Sequence, residues 1–281
     1  MPSVAVNGVD LYYEEAGSGT PILFIHELAG DYRSWEPQMR RFVRNHRCIV
    51  YSARGYHPSS APEEAKEYSQ RQAADDAEGL LDQLGIDKAH IVGLSMGSFT
   101  TLHVGVHHPE RALSLTIVGC GSGSAPETYE ASQHRYKSMG QAILDGGYEQ
   151  FVDSYAGGEY RLSFKAKDPR GWAEFKARLA EHSPLGKAMT LMNVQGTRPS
   201  LYHMEDEIRA IKVPALVVAG DLDTPCIHPS IYLSKTMRNA GLCILPKTGH
   251  TVNLEEPGVF NAQMEAFIAA VEAGSWRASY A

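Results

Sequence analysis

Apolar runs and amphipathic stretches alternate along most of this 281-residue chain. The β-rich runs read "VDLYYEEA", "PILFIH", "RCIVYSA", "AHIVGL", "LSLTIVG", "PALVVAG" and "LCILP". The middle ones lack any polar/apolar alternation, as expected of strands buried on both faces. Between them the period lengthens to that of helices. "YSQRQAADDAEGLLDQLG" follows this pattern, with a serine before an expected acidic first turn, Leu80, Leu81 and Leu84 as its apolar positions, and Gly85 as a stop. "MGSFTTLHVGVHHPER" is a second such run, broken before Pro109. "PGVFNAQMEAFIAAVEAG" opens on a proline and carries Phe260, Met264, Phe267, Ile268 and Val271 on one face. Strands alternating with helices predict a mostly parallel sheet covered on both sides.

One region breaks the rhythm. From about Ser122 to Arg209 only helical pieces appear, the clearest being "HRYKSMGQAILD", "YEQFVDSYA", "GWAEFKARLAEH" and "PLGKAMTLMNV". Alternation resumes at "IKVPALVVAGDLD". A separate helical domain would leave the first half with an unfinished sheet. The pattern therefore predicts one core domain, residues 1–121 and 206–281, with a helical insertion at 122–205.

Composition narrows the function. The chain is 43% hydrophobic and 21% charged, ordinary values for a globular protein. A net charge of −7 without any Lys/Arg cluster argues against a nucleic-acid partner. The longest uncharged stretch, "ALSLTIVGCGSGSAP", is too short and too rich in glycine and serine to span a bilayer. Cys48, Cys120, Cys226 and Cys243 form no C-x-x-C pair, so neither a zinc ribbon nor a disulfide framework is expected. Buried free thiols and a start, "MPSVAVNGVD", without a secretory pattern imply a cytoplasmic protein.

The candidate chemistry begins at Gly93-Leu94-Ser95-Met96-Gly97. This string follows a strand and opens a helix, the setting of a nucleophile elbow. Flanking glycines remove side chains that would collide in so tight a turn, and the helix N-terminus favours a developing oxyanion. The alternative is a close-packed glycine-rich turn whose serine caps the helix. A serine nucleophile needs a base, and the base an orienting acid. Downstream, Asp221 and Asp223 follow the strand "PALVVA", and His250 lies in the loop after "LCILP". His90 falls within a strand, whereas His103, His107 and His108 lie along the helix after Ser95, where packing or surface roles are expected.

Three motifs in this order, each after a strand, resemble the α/β-hydrolase superfamily in its helical-capped, esterase-like branch. The resemblance covers about residues 10–120 and 205–275. It implies a mostly parallel α/β-hydrolase sheet flanked by helices, with a helical cap inserted after the sixth strand. It also implies Ser95 as nucleophile, His250 as base and, from the family's Gly-x-x-Asp pattern, Asp223 as acid, leaving Asp221 to end the strand or form an Asx turn. The family usually carries His-Gly after its third strand; here His26, Glu27 and Leu28 occupy that place. The backbone N–H groups of Leu28 and Met96 then form the oxyanion hole. Glu27, where glycine is expected, is either a substrate-selecting or proton-handling acid or the salt-bridge partner of Arg33 or Arg54. His26 and Glu27 are accordingly candidates for the substrate pocket. "YSARGYHPSS" resembles the family's Asp-x-Arg-Gly loop, with Ser52 replacing the aspartate and a structural role expected.

The activity implied is hydrolysis of a small carboxylic ester or lactone through an acyl-enzyme. Alternatives on this fold are hydrolysis of a carbon–carbon bond in a diketone-type substrate, acyl transfer, and a non-enzymatic receptor for a small ligand. A serine rather than an aspartate at the elbow argues against the dehalogenase and epoxide-hydrolase branches. No metal or organic cofactor is implied, and the expected partner is a small-molecule substrate, with neither nucleic acid nor membrane. Tyr129, Tyr136, Tyr148, Phe151, Tyr155, Met189 and Met192 give the insertion either an apolar underside above that substrate or a small core of its own.

Overall fold

A computed structural model describes residues 2–276. Its strands are β1 (Ser3–Val6), β2 (Val9–Ala16), β3 (Thr20–Ile25), β4 (His46–Tyr51), β5 (Ala89–Leu94), β6 (Ala112–Val118), β7 (Ala215–Gly220) and β8 (Ala240–Leu245). They form one sheet in the order β1-β2-β4-β3-β5-β6-β7-β8. β2 pairs antiparallel with β1 and β4, and all other neighbours are parallel. All seven β-rich runs of the sequence are strands. The additional one, β1, is made by a two-residue hairpin at Asn7-Gly8, whose φ values of 46° and 82° are those that asparagine and glycine tolerate best.

Successive strand residues point to opposite faces, and the core divides accordingly. Leu23, Ile25, Ile49, Ile91, Leu115, Ile117 and Val217 meet Leu80 and Leu81 of helix Gln70–Gln83 and Phe99 and Leu102 of helix Met96–His107. Ile22, Phe24, Val50, Val92, Leu94, Val118 and Val218 meet Phe260, Met264, Phe267 and Ile268 of helix Pro257–Glu272. Layers on both sides bury β5 and β7 along their whole length, which explains their unbroken apolar sequences. Helix Gln70–Gln83 starts where predicted, with the Ser69 hydroxyl accepting from the Gln72 N–H at 2.9 Å.

Between β6 and β7 every regular element is helical. The α-helices are Tyr129–Leu144, Tyr148–Ala156, Leu162–Lys167, Pro169–Ala180, Pro184–Thr190, which runs into a π-turn at Leu191–Gln195, and Glu205–Ala210. Of these, Leu162–Lys167 and Glu205–Ala210 have no counterpart among the helical pieces read from sequence. Ile143, Phe151, Phe164, Phe175 and Leu179 make a third apolar cluster, which also takes in Leu28, Tyr56 and Met96. The insertion is thus packed onto the loop after β3 and onto the residue that follows Ser95. All four cysteines are free, three of them buried. Among the described residues, no helix is long and apolar enough to cross a membrane.

Buried histidines make this fold acid-sensitive. Burial pushes His26 and His90 down to about 4, and His103 and His182 down to about 3, from an ordinary 6.5. As pH falls below 6.5 the unfolded chain takes up protons at these positions and the folded chain does not, so stability drops until the folded values are reached. Each histidine should withdraw on the order of 1 kcal/mol by pH 5. The melting temperature should therefore fall between pH 7 and pH 5, and His103→Gln should flatten that slope whatever it does to the absolute value. A melting temperature constant over this range would contradict the neutral, buried state of these rings.

Candidate active site

Ser95 sits between β5 and helix Met96–His107 with φ 55° and ψ −110°, a left-handed conformation that costs a non-glycine residue of order 1–3 kcal/mol. Its N–H donates to the Val118 carbonyl (2.8 Å), and its own carbonyl accepts from the N–H groups of Ser98 and Phe99. The flanking glycines answer a need for space. A Cβ on Gly93 would lie 2.1 Å from the Gly97 carbonyl oxygen, and one on Gly97 would lie 2.2 Å from that of Ile25. Without them the elbow could not press against β3, and the Ser95 hydroxyl would not stand at the sheet's C-terminal edge.

The structure brings Ser95, His250 and Asp223 together across the ends of three strands. His250 Nε2 lies 2.8 Å from Ser95 Oγ, and His250 Nδ1 lies 2.6 Å from Asp223 Oδ2. Asp223 is almost fully buried at the head of helix Thr224–Thr236. Asp221 is elsewhere: its Oδ1 accepts from the Thr248 N–H at 3.1 Å. Glu255 accepts from the Gly249 N–H with both oxygens at 3.0 Å, and the Tyr160 carbonyl accepts from the His250 N–H at 3.1 Å. The imidazole is therefore clamped by its own loop and by a backbone carbonyl of the insertion. Cys226 lies within 4.8 Å of both Asp223 and His250, but burial raises its thiol well above the usual range, so it is protonated and donates to the Gly119 carbonyl (3.3 Å).

Met96 begins its helix, where a backbone N–H has no intrahelical acceptor. Leu28 lies across from it and lines the same cavity of about 230 Å³ as Ser95, Asp223 and His250. The Leu28 carbonyl is held by the ammonium of Lys187, a fully buried lysine of the insertion that also sits 4.0 Å above the Tyr56 ring. Burial pushes this lysine well below its ordinary pKa, while Glu27 and Asp31 oppose the shift.

Two pocket candidates lie elsewhere. His26 is wholly buried and is not part of the cavity wall. Its Nε2 accepts from the Ala53 N–H (2.9 Å), which fixes the other nitrogen, Nδ1, as the donor to the Glu27 carbonyl (2.7 Å). It staples two loops beneath the site. Glu27 is also buried and off the wall, and its salt-bridge partner is neither Arg33 nor Arg54. Arg33 pairs with Asp31 and Glu181, and Arg54 with Asp76 and Glu67. Glu27 Oε2 accepts instead from Arg161 of the insertion at 2.5 Å, and that guanidinium stacks over Tyr155 and Phe175. The Arg54–Asp76 pair fits the structural role expected of its loop.

Sequence reasoning passed over Tyr160, Arg161, His182, Lys187 and Arg198, all from the insertion. Arg161 lies in a short 3-10 turn with no periodicity to mark it. Lys187, set between Gly186 and Ala188 on a buried helix face, did carry a signal: a lone charge in an otherwise small, apolar stretch.

A family model described as the alpha/beta hydrolase fold matches residues 20–257. A Variovorax paradoxus protein provisionally named carbamate hydrolase RutD is 28% identical over 270 residues, covering 94% of this chain and 97% of that one. The 3-oxoadipate enol-lactonase 1 of Acinetobacter baylyi is 22% identical over 271 residues, with 96% and 94% covered. The crystal structure of an enol-lactonase from Burkholderia xenovorans superimposes with a TM-score of 0.83 at 23% identity, covering 95% of this chain and all of that one.

Proposed function

The chain belongs to the α/β-hydrolase family and is a hydrolase of that fold, and from this premise we propose that it cleaves a small carboxylic ester or lactone through an acyl-enzyme. The observation that carries the proposal is the unbroken hydrogen-bond chain Ser95–His250–Asp223 on the wall of a closed-in, largely apolar cavity.

Ser95 Oγ attacks the substrate carbonyl carbon while His250 Nε2 takes its proton. Asp223 holds the imidazole with Nδ1 protonated and stabilises the imidazolium that forms. The N–H groups of Leu28 and Met96 receive the oxyanion, a contribution typically of about 3–4 kcal/mol per donor to the barrier. His250 then protonates the leaving alcohol, and the carbonyl re-forms as an ester of Ser95. In the second half His250 deprotonates a water, which attacks that ester and releases the acid and free Ser95. Residues 122–205 act as a lid that keeps bulk water from the acyl-enzyme.

The test is turnover of 4-nitrophenyl butyrate and of a panel of lactones, preceded by labelling with a fluorophosphonate. One labelled serine and steady hydrolysis are expected. A protein that binds these esters without releasing acid beyond the first equivalent would be a receptor, and the proposal would fail. Asp221→Asn should leave kcat within about threefold, because that carboxylate acts on the Thr248 amide and not on the imidazole. A loss as large as that of Asp223→Asn would reassign the acid.

A further inference from the structure

Among the described residues, one buried cation on the cavity wall has no carboxylate paired with it. Arg161, on the wall, is already matched by Glu27, and Arg135 is exposed at the rim. Arg198 is different. It is almost fully buried, lines the cavity, and stacks its guanidinium 3.6 Å above the Phe99 ring. Phe99 lies one turn into the helix that Ser95 opens, and Ser95, Phe99 and Arg198 line the same cavity. Its Nη2 donates to the Ser122 carbonyl at 2.6 Å, which uses one of five donors. Among the described residues, the groups that weigh most on it are tyrosines and cysteines, with no carboxylate among these.

A buried guanidinium without a counter-ion is costly, and this one is deliberately positioned. The Arg198 carbonyl accepts from the Tyr129 hydroxyl (2.9 Å) and from the Gln133 amide, which fixes the segment after the π-turn. That π-turn also delivers Gln195 to the cavity wall, with its carboxamide oxygen buried and unpartnered. Rotating the amide by half a turn presents its NH2 as a second donor beside Arg198.

We propose that Arg198, assisted by Gln195, binds a carboxylate on the substrate, so that the preferred esters or lactones are monoanionic acids. This rests on the hydrolase reading and sharpens it. The planar fork of a guanidinium matches a carboxylate. One uncompensated cation balances one negative charge, whereas a phosphate monoester, nearer −2, would leave a surplus beside Asp223.

The experiment compares kcat/KM within matched pairs. Mono-4-nitrophenyl adipate is set against 4-nitrophenyl hexanoate for an acid on the acyl side, and 4-butyryloxybenzoate against phenyl butyrate for one on the leaving side. The acidic ester should win by about tenfold or more in one pair, the worth of a charge-assisted hydrogen bond. Arg198→Met should collapse that ratio toward one, and Arg198→Lys should leave an intermediate ratio because it keeps the charge without the fork. No preference in either pair, or a ratio that survives Arg198→Met, overturns the proposal. Should the variants not fold, the wild-type protein still decides: adipamate, the monoanionic monoamide, should bind at least about tenfold more tightly than neutral adipamide in calorimetry, and equal binding overturns the proposal. Calorimetry needs no turnover. A protein inert to fluorophosphonate and to all four esters but selective for adipamate over adipamide would lose the hydrolase reading and keep this one.

Discussion

Ser95→Ala should lower kcat/KM for any substrate of this site by roughly 10⁴- to 10⁶-fold and abolish labelling by a fluorophosphonate. The fold should survive, since alanine meets the φ of 55° at no greater cost than serine does. What remains would come from the two oxyanion donors and from binding. Asp223→Asn should cost about 10⁴-fold by stabilising the wrong imidazole tautomer, with geometry little changed. Both are read from steady-state kinetics on variants whose circular dichroism matches the parent. A Ser95→Ala protein that keeps a tenth of its activity would require another nucleophile. Cys226 is the nearest alternative, and its raised pKa makes it a poor one.

Glu27→Ala should destabilise the protein by about 3–5 kcal/mol, the usual consequence of removing one partner from a buried ion pair. The arginine left behind is almost fully buried: Tyr155 and Phe175 pack against its guanidinium, and its Nε already lacks an acceptor. Replacing both partners, Glu27→Ala with Arg161→Met, removes the stranded charge and should recover much of the loss. Urea denaturation of the parent, the two single variants and the double variant closes the cycle. A Glu27→Ala protein within about 1 kcal/mol of the parent would mean that Arg161 finds solvent when released, contrary to its enclosure.

Legibility in the sequence followed the range of the interaction. The strands from β2 to β8 could be read because each carries a local apolar signature, and the buried ones lack alternation for the reason their coverage supplies. β1 was missed although Asn7-Gly8 marks its turn, because four residues with one buried side chain give too short a pattern. Ser95, Asp223 and His250 could be picked out because each follows a strand and must leave the sheet at the same edge. Choosing Asp223 over Asp221 took a family spacing; the physical reason, that Asp221 is occupied by the Thr248 amide, needed coordinates. Glu27 stood out as unusual, but its partner lies 134 residues away in a turn without periodicity. His26 was misplaced for a similar reason: its role depends on the Ala53 N–H, a contact between two loops.

The ties between the insertion and residues 26–31 run one way. Arg161 donates to Glu27 and Lys187 to the Leu28 carbonyl, while His182 meets Asp31. A chimera that carried these helices onto a relative with glycine after its loop histidine would import the buried Arg161 guanidinium without its acceptor. It should misfold or splay open unless the short loop travels with it. Divergence here is therefore constrained in pairs: the segment above the reacting carbonyl and the one beneath it can change only together.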